Sequence, residues 1–212
     1  MAEQNIASRT VSNVVNAHYG WYIVAMGTML QLTTNFISQA YSILIVARED
    51  SFGWSLTVTA LAYSLRAVIG ALLSPWAGVM GDRYGAKRVM LIGAGFFTAG
   101  LVLLSTITEI WQLFLYYSII LGIAQAMFRV NIPTTVAAWF KKKLGVAVGI
   151  QQSAGGMGAS ILAPGLTILL TQTDWQTAFI LIGIVAGAIV FGLLAFFHSE
   201  PAERGKLPYG SG

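Results

Sequence analysis

Six apolar runs, at about residues 20–47, 55–80, 88–107, 110–139, 144–171 and 176–197, contain no Asp or Glu. Each reaches the roughly 20 residues that a helix needs to cross the hydrocarbon of a bilayer. No other feature limits the fold so tightly, because a backbone in lipid must satisfy its own N–H and C=O groups, as a helix or as a closed barrel. Barrel strands would alternate apolar and polar residues in segments of about ten, and that alternation is absent. The chain therefore reads as an all-α membrane protein with six transmembrane helices. At 56% hydrophobic and 9% charged it lies far from a soluble domain, where about a quarter of residues are charged.

Apart from Arg66 and Arg129, the charges sit between the runs or at their ends, and their sign gives an orientation. Placing both termini in the cytoplasm puts Arg9, Arg83, Lys87, Arg88, Lys141, Lys142, Lys143, Arg204 and Lys206 inside, against Arg48 alone outside. The net charge of +4 is thus spread over loops, which excludes a nucleic-acid-binding face. Residues 1–19 lack a short apolar core before a cleavage site and read as a cytoplasmic tail. Residues 20–197 form the helical bundle, and 198–212 a cytoplasmic tail or the start of a flexible central linker. With no cysteine, and His18 and His198 isolated, there is no metal centre, and no cofactor is expected. No nucleophile with a base and no phosphate loop occurs either, so an enzyme is not expected. The setting is a plasma membrane, or the inner membrane if the source is bacterial.

Between the second and third runs stands Gly78-Val79-Met80-Gly81-Asp82-Arg83-Tyr84-Gly85-Ala86-Lys87-Arg88, with four of the chain's 20 charged side chains. It must be a tight turn in water or headgroups joining two membrane helices. The order of Gly78, Asp82, Arg83, Gly85, Lys87 and Arg88 resembles the signature loop between the second and third helices of the major facilitator superfamily. Four further stretches are similar to its monocarboxylate and oxalate/formate transporter branch. They are Tyr19-Gly20-Trp21-Tyr22-Ile23-Val24, Gly53-Trp54-Ser55, Trp139-Phe140-Lys141-Lys142-Lys143-Leu144-Gly145 with Gly149, and Asp174-Trp175-Gln176-Thr177-Ala178-Phe179.

The resemblance implies a 12-helix protein of two six-helix halves, each half two inverted three-helix repeats, with substrate held between the halves. This chain would be the N-terminal half, completed by a C-terminal six-helix half or by a second copy. The signature loop would latch the halves, Asp82 and Arg83 making interhelical charge contacts that break as the cytoplasmic side opens. Two positions depart from family patterns. Ser118 stands four residues before Gly122, where many proton-coupled exporters carry Arg, and Gln39 lies near the place of a first-helix Lys in proton-coupled monocarboxylate carriers. Both departures count against proton-coupled export and against the animal-type lactate mechanism.

Two cations fall inside the spans. Arg66 lies near the centre of the second, where a charge costs about 3 kcal/mol, so it needs a wet cavity or a partner. Thr59, Tyr63, Arg66, Gly70 and Ser74 share one helical face and would turn the guanidinium inward. Arg129 shares a face of the fourth helix with Ser118, Gly122 and Gln125, and Pro133 cannot donate to its carbonyl, which predicts a kink there. Pro75 and Pro164 are the other expected kinks. With no acid in any span, both arginines point to an anionic substrate, or to acids from the other half. Alternatively Arg66 is structural, bonded to backbone carbonyls, and Arg129 snorkels to the interface.

In the first helix Thr28, Gln31, Asn35, Ser38 and Ser42 make one polar stripe that lipid would not tolerate, so the stripe lines a cavity. Gln152 is the candidate from the glycine-rich fifth helix, whose glycines read as packing contacts, as do Gly183, Gly187, Ala188 and Gly192 in the sixth. The expected substrate site is therefore Arg66, Arg129, Gln31, Asn35, Gln125, Gln152 and Tyr63, and the expected cargo a small organic anion. Other readings are a carrier of inorganic anions, neutral solutes or drugs, or a membrane anchor or assembly partner with no cargo. A continuous polar stripe favours transport, since an anchor has no use for a wet interior.

Overall fold

The structure, a computed structural model, describes residues 19–47, 53–199, 201 and 209. Arg9, Arg48, Arg204 and Lys206, which entered the orientation count, lie outside these described residues. Helix α1 covers 19–34 and α2 Phe36–Ala47, followed by α3 (Leu56–Tyr84) and α4 (Ala86–Leu104). Next comes one continuous helical rod, made of α5 (Ile110–Leu113), a π-helical stretch (Phe114–Ile120) and α6 (Leu121–Ala138). Helices α7 (Leu144–Gln172) and α8 (Trp175–Phe196) complete the chain. Four of these elements, Leu56–Tyr84, Ala86–Leu104, Ile110–Ala138 and Trp175–Phe196, are long and apolar enough to cross a membrane.

Local chemistry sets the boundaries. The first apolar run breaks at Asn35, whose N–H is shared between the carbonyls of Gln31 and Leu32, and the helix restarts at Phe36. The charged segment between α3 and α4 is mostly helix. Gly81 to Tyr84 extend α3, and the reversal is confined to Gly85 at φ 90°, a conformation that L side chains rarely adopt. Lys87 and Arg88 then fall in the first turn of α4. Asp174 caps α8, accepting hydrogen bonds from the Thr177 backbone and hydroxyl, which hold its carboxyl below the usual carboxylate range. A lowered pKa makes this cap fully effective at neutral pH and weakens it as the pH falls through the carboxylate range.

Pro75, Pro133 and Pro164 all lie inside continuous helices. Helical hydrogen bonding departs from the α pattern at Asn35 and in the π stretch, where no proline is present.

Helix α3 packs chiefly on α6, and α4 on both α6 and α8. The core between them holds Phe97, Tyr117, Leu121, Phe179 and Val190, all fully buried. Outward faces are apolar as well: Leu72 is 69% exposed, Trp76 73% and Phe196 68%. In water such a surface would aggregate; in a bilayer it is the matched one.

The seams are made by glycine. A Cβ on Gly100 would meet Leu121, one on Gly122 would meet Ile69 and the Arg66 carbonyl, and one on Gly183 would meet Val102. Gly187 sits directly against Thr98. The expectation for α7 needs correction. Gly145, Gly149, Gly155, Gly156 and Gly165 have nothing within 4 Å of a built Cβ, and only Gly158 packs, against Asn35. Gly192 is likewise open. These residues sit on helix faces that no other described element covers, so small size there serves no contact among the described residues.

The α4–α8 seam makes a direct stability prediction. At Gly183 the obstacles include the Val102 backbone nitrogen at 3.2 Å, which a rotamer change cannot move. Gly183→Ala should destabilise by about 1–3 kcal/mol, seen as a lowered thermal midpoint in detergent, whereas Gly95→Ala, in open space, should not.

Candidate functional site

A cavity of about 310 Å³ opens between α1, α2, α6 and α7. Its wall takes Gln31 and Thr34 from α1, Asn35 from the break, and Ile37 and Ser38 from α2. Gln125, Phe128 and Arg129 come from α6 and Gln152 from α7. Five of the seven expected substrate residues are thus brought together. Asn35 enters the wall at the break between α1 and α2. Asn35 Nδ2 donates to the Ala154 carbonyl at 3.0 Å, across the gap left by Gly158. With its amide hydrogens so engaged, the Asn35 carbonyl oxygen is the group free for a ligand.

Arg129 is exposed on this wall, one helical turn from Gln125, and no acid shares the cavity with it. Its charge therefore dominates the local field. Gln31 is held from behind by Gln151, whose Nε2 lies 3.3 Å from the Gln31 oxygen and whose own oxygen is buried without a partner. Of the expected polar stripe, Gln31, Asn35 and Ser38 reach the cavity. Thr28 instead turns back to the Val24 carbonyl at 2.7 Å.

Arg66 and Tyr63 do not line the cavity. Arg66 is only 2% exposed, and its Nη1 donates to Gln125 Oε1 at 2.6 Å. The guanidinium carbon lies 5.0 Å from the centre of the Tyr63 ring and 5.4 Å from that of Tyr117. Tyr63 in turn packs on Tyr41, ring centres 4.8 Å apart. Among the described residues Arg66 is therefore neither lipid-facing nor bonded to backbone carbonyls, and its Nε is buried without a partner. It sits behind the wall and reaches the cavity through one carboxamide. The close approach that permits this comes from Gly70 and Gly122, which face each other across the α3–α6 seam.

Tyr117 and Gln151 escaped the sequence reading. Tyr117 belongs to the π stretch, whose wider turn carries Tyr117 and Ser118 onto α3, Ser118 donating to the Ala62 carbonyl at 2.9 Å. A π turn has no composition signal, although the adjacent aromatics Tyr116 and Tyr117 opposite a buried Arg were a usable hint.

At the opposite end of α3, Asp82, Arg83 and Arg88 are exposed, and none of them forms an ion pair among the described residues. The tie at this corner is Lys87, whose Nζ donates to the Ala195 carbonyl and whose backbone N–H donates to Ser199, both at 2.9 Å. Asn131, buried in α6, packs against Gly81 and donates to the Ala77 carbonyl at 3.3 Å. Gly78 lies along the same seam, near Val130.

Apolar helices around a polar cavity mark a multi-pass membrane protein. The family model of the Major Facilitator Superfamily matches residues 23–211, and the chain belongs to that superfamily. It is 26% identical to human monocarboxylate transporter 12 over 211 residues, covering 96% of this chain and 40% of that one. It is also 26% identical to mouse monocarboxylate transporter 9 over 168 residues, 79% of this chain and 33% of the relative. An uncharacterized MFS-type transporter of Bacillus subtilis, YcxA, is 21% identical over 195 residues, 89% and 48% of the two chains. The superfamily, read from the signature loop, therefore holds, and the curated relatives that the chain resembles include monocarboxylate transporters. The chain spans less than half the length of each of these relatives.

The cavity's charge can be read chemically, because the chain has no cysteine. Gln152→Cys should react with an anionic methanethiosulfonate about tenfold faster than with a cationic one, and Arg129→Gln should abolish that preference. Ser118→Cys, fully buried, should react with neither.

Proposed function

We propose that the chain is the N-terminal six-helix half of a secondary transporter, moving a small organic anion, a monocarboxylate or related acid, by alternating access. The observation that carries this reading is Arg129, an intramembrane cation exposed to a polar cavity on which no carboxylate sits. A guanidinium offers a carboxylate two parallel N–H donors, and the low dielectric of the bilayer strengthens that pairing. Gln31, Asn35, Gln125 and Gln152 complete a wall able to hold the polar remainder of such a solute. In this proposal Arg129 takes the charge, while Arg66 and Tyr63 act from behind the wall.

The remainder of the protein would be a second six-helix half or another copy of this chain. Supporting this are the open glycine face of α7 and the exposed apolar face of α3. Both termini lie in the cytoplasm and the protein in the plasma membrane, as the excess of basic residues in the corresponding loops favours. Gly78, Asp82, Arg83, Gly85, Lys87 and Arg88 form the conformational-switch corner. Asp82, with no ion-pair partner among the described residues, is free to pair with the other half, while Lys87 holds α4 to the end of α8.

Reconstituting the full-length protein in proteoliposomes tests the cargo. Radiolabelled acetate, lactate and benzoate are supplied outside, and saturable uptake of at least one is expected. Arg129→Gln should raise KM for that acid about tenfold or more, the loss of one charge-assisted contact. Equal uptake by wild type and Arg129→Gln would instead indicate a carrier of neutral solutes.

A further inference from the structure

Gln125 stands between the two arginines. On one side its Oε1 accepts from Arg66 Nη1 at 2.6 Å; on the other it lines the cavity, one turn from Arg129. A guanidinium has donors only, so the atom facing Arg66 must be the carboxamide oxygen, and the usual ambiguity between oxygen and nitrogen in a glutamine does not arise. The amide NH2 is consequently turned away from Arg66. It has no partner among the described residues and is not sealed in the core, which leaves the cavity as its outlet.

Arg66 is itself locked. Its guanidinium is flanked by the Tyr63 and Tyr117 rings, and its helix is drawn onto α6 by Gly70 and Gly122. Nor does any acid within the bundle compete for it, since no span contains one. A free glutamine side chain is ambidextrous and can offer a ligand either its carbonyl or its amide. This one is not, because reversing it would give up a charge-assisted hydrogen bond, about twice as strong as a neutral one.

We propose that Arg66 is a positioning residue: from behind the wall it holds Gln125 with its NH2 toward the cavity, so that Gln125 and Arg129 together present only donors to a carboxylate. This rests on the monocarboxylate reading above and deepens it. Gln125 and Arg129 stand four residues apart on one face of α6, their Cβ atoms about 5–6 Å apart, so that one carboxylate can take a contact from each side chain. The buried charge also polarises the amide, strengthening the donors that face the solute. Arg66 thus sets specificity without touching substrate. It favours a solute with two acceptor oxygens and no proton over its uncharged amide, which would bring an NH2 against another NH2.

The test uses the full-length protein in proteoliposomes, with acetate, lactate and benzoate as labelled probes and acetamide, lactamide and benzamide as competitors. Gln125→Glu gives Arg66 an ion-pair partner but puts an acceptor on the wall. The expected result is a thermal midpoint equal to or above wild type, with KM for the transported acid raised about tenfold or more. A Gln125 needed only to satisfy Arg66 would leave transport intact in that variant, so an unchanged KM overturns the proposal. Arg66→Met frees the carboxamide and should narrow the preference for acid over amide; a folded Arg66→Met with wild-type preference also overturns the proposal. Should wild type take up none of the three acids, the monocarboxylate reading itself falls and takes this inference with it, a result distinct from uptake that ignores Gln125.

Discussion

A guanidinium sealed inside a membrane bundle, with no carboxylate anywhere in the spans to balance it, is the constraint around which the rest of the interior is arranged. Placing Arg66 there costs about 3 kcal/mol on insertion scales, and several features offset that cost together. Gln125 accepts one hydrogen bond, Tyr63 and Tyr117 offer the negative faces of their rings, and the α3–α6 seam closes tightly enough to bring all three within reach. Each depends on a different irregularity. The seam needs glycine at 70 and 122, and Tyr117 needs the π stretch. Remove either and the guanidinium stays buried while its partners withdraw.

The same economy of polar groups recurs around the cavity. Asn35 spends its amide on the α7 backbone, Gln31 has its oxygen opposite the Gln151 amide, and Gln125 has its oxygen committed to Arg66. Every carboxamide on the wall is held by something behind it, apart from Gln152. Since a side-chain amide can face either way, such backing determines whether a position offers a donor or an acceptor. The cavity therefore has a fixed polarity: donors along α6, where Arg129 stands, and an acceptor at the α1–α2 break.

Much of this was legible in the sequence, for reasons that differ residue by residue. Acid-free runs longer than a bilayer's thickness have one physical solution, so helices followed from composition and length alone. The stripe of Gln31, Asn35 and Ser38 was readable because lipid excludes amides and hydroxyls, and helical spacing then puts them on one side. Spacing could not show depth. Arg66 and Gln125 are both polar residues on inward faces, and only the separation of α3 from α6, set by Gly70 and Gly122, decides which lines the cavity and which lies behind it. The glycines of α7 misled for a related reason. A small residue permits close approach but does not supply the approaching helix, and among the described residues none arrives. Asn35 escaped as a break point because asparagine is tolerated inside helices, and its disruptive role appears only when the α7 carbonyls stand opposite its amide.

The contrast between the two arginines shows how one residue type comes to serve two purposes. Arg66 lies on the α3 face that meets α6, between Thr59 and Gly70, which are both buried, so its long side chain has no route outward and must be solvated by protein. Arg129 lies on α6 one turn past the half-buried Gln125 and one turn before Pro133, on the side where α1, α2, α6 and α7 leave a cavity between them. There its charge stays exposed and able to meet a counter-charge that arrives and departs. A cation that must be neutralised permanently is held by groups that do not move, whereas one that binds transiently has to be left unsatisfied in its absence. The absence of acid from the spans makes both conditions possible at once: a carboxylate near either arginine would saturate it, and the wall would then hold its own ion pair in place of a solute.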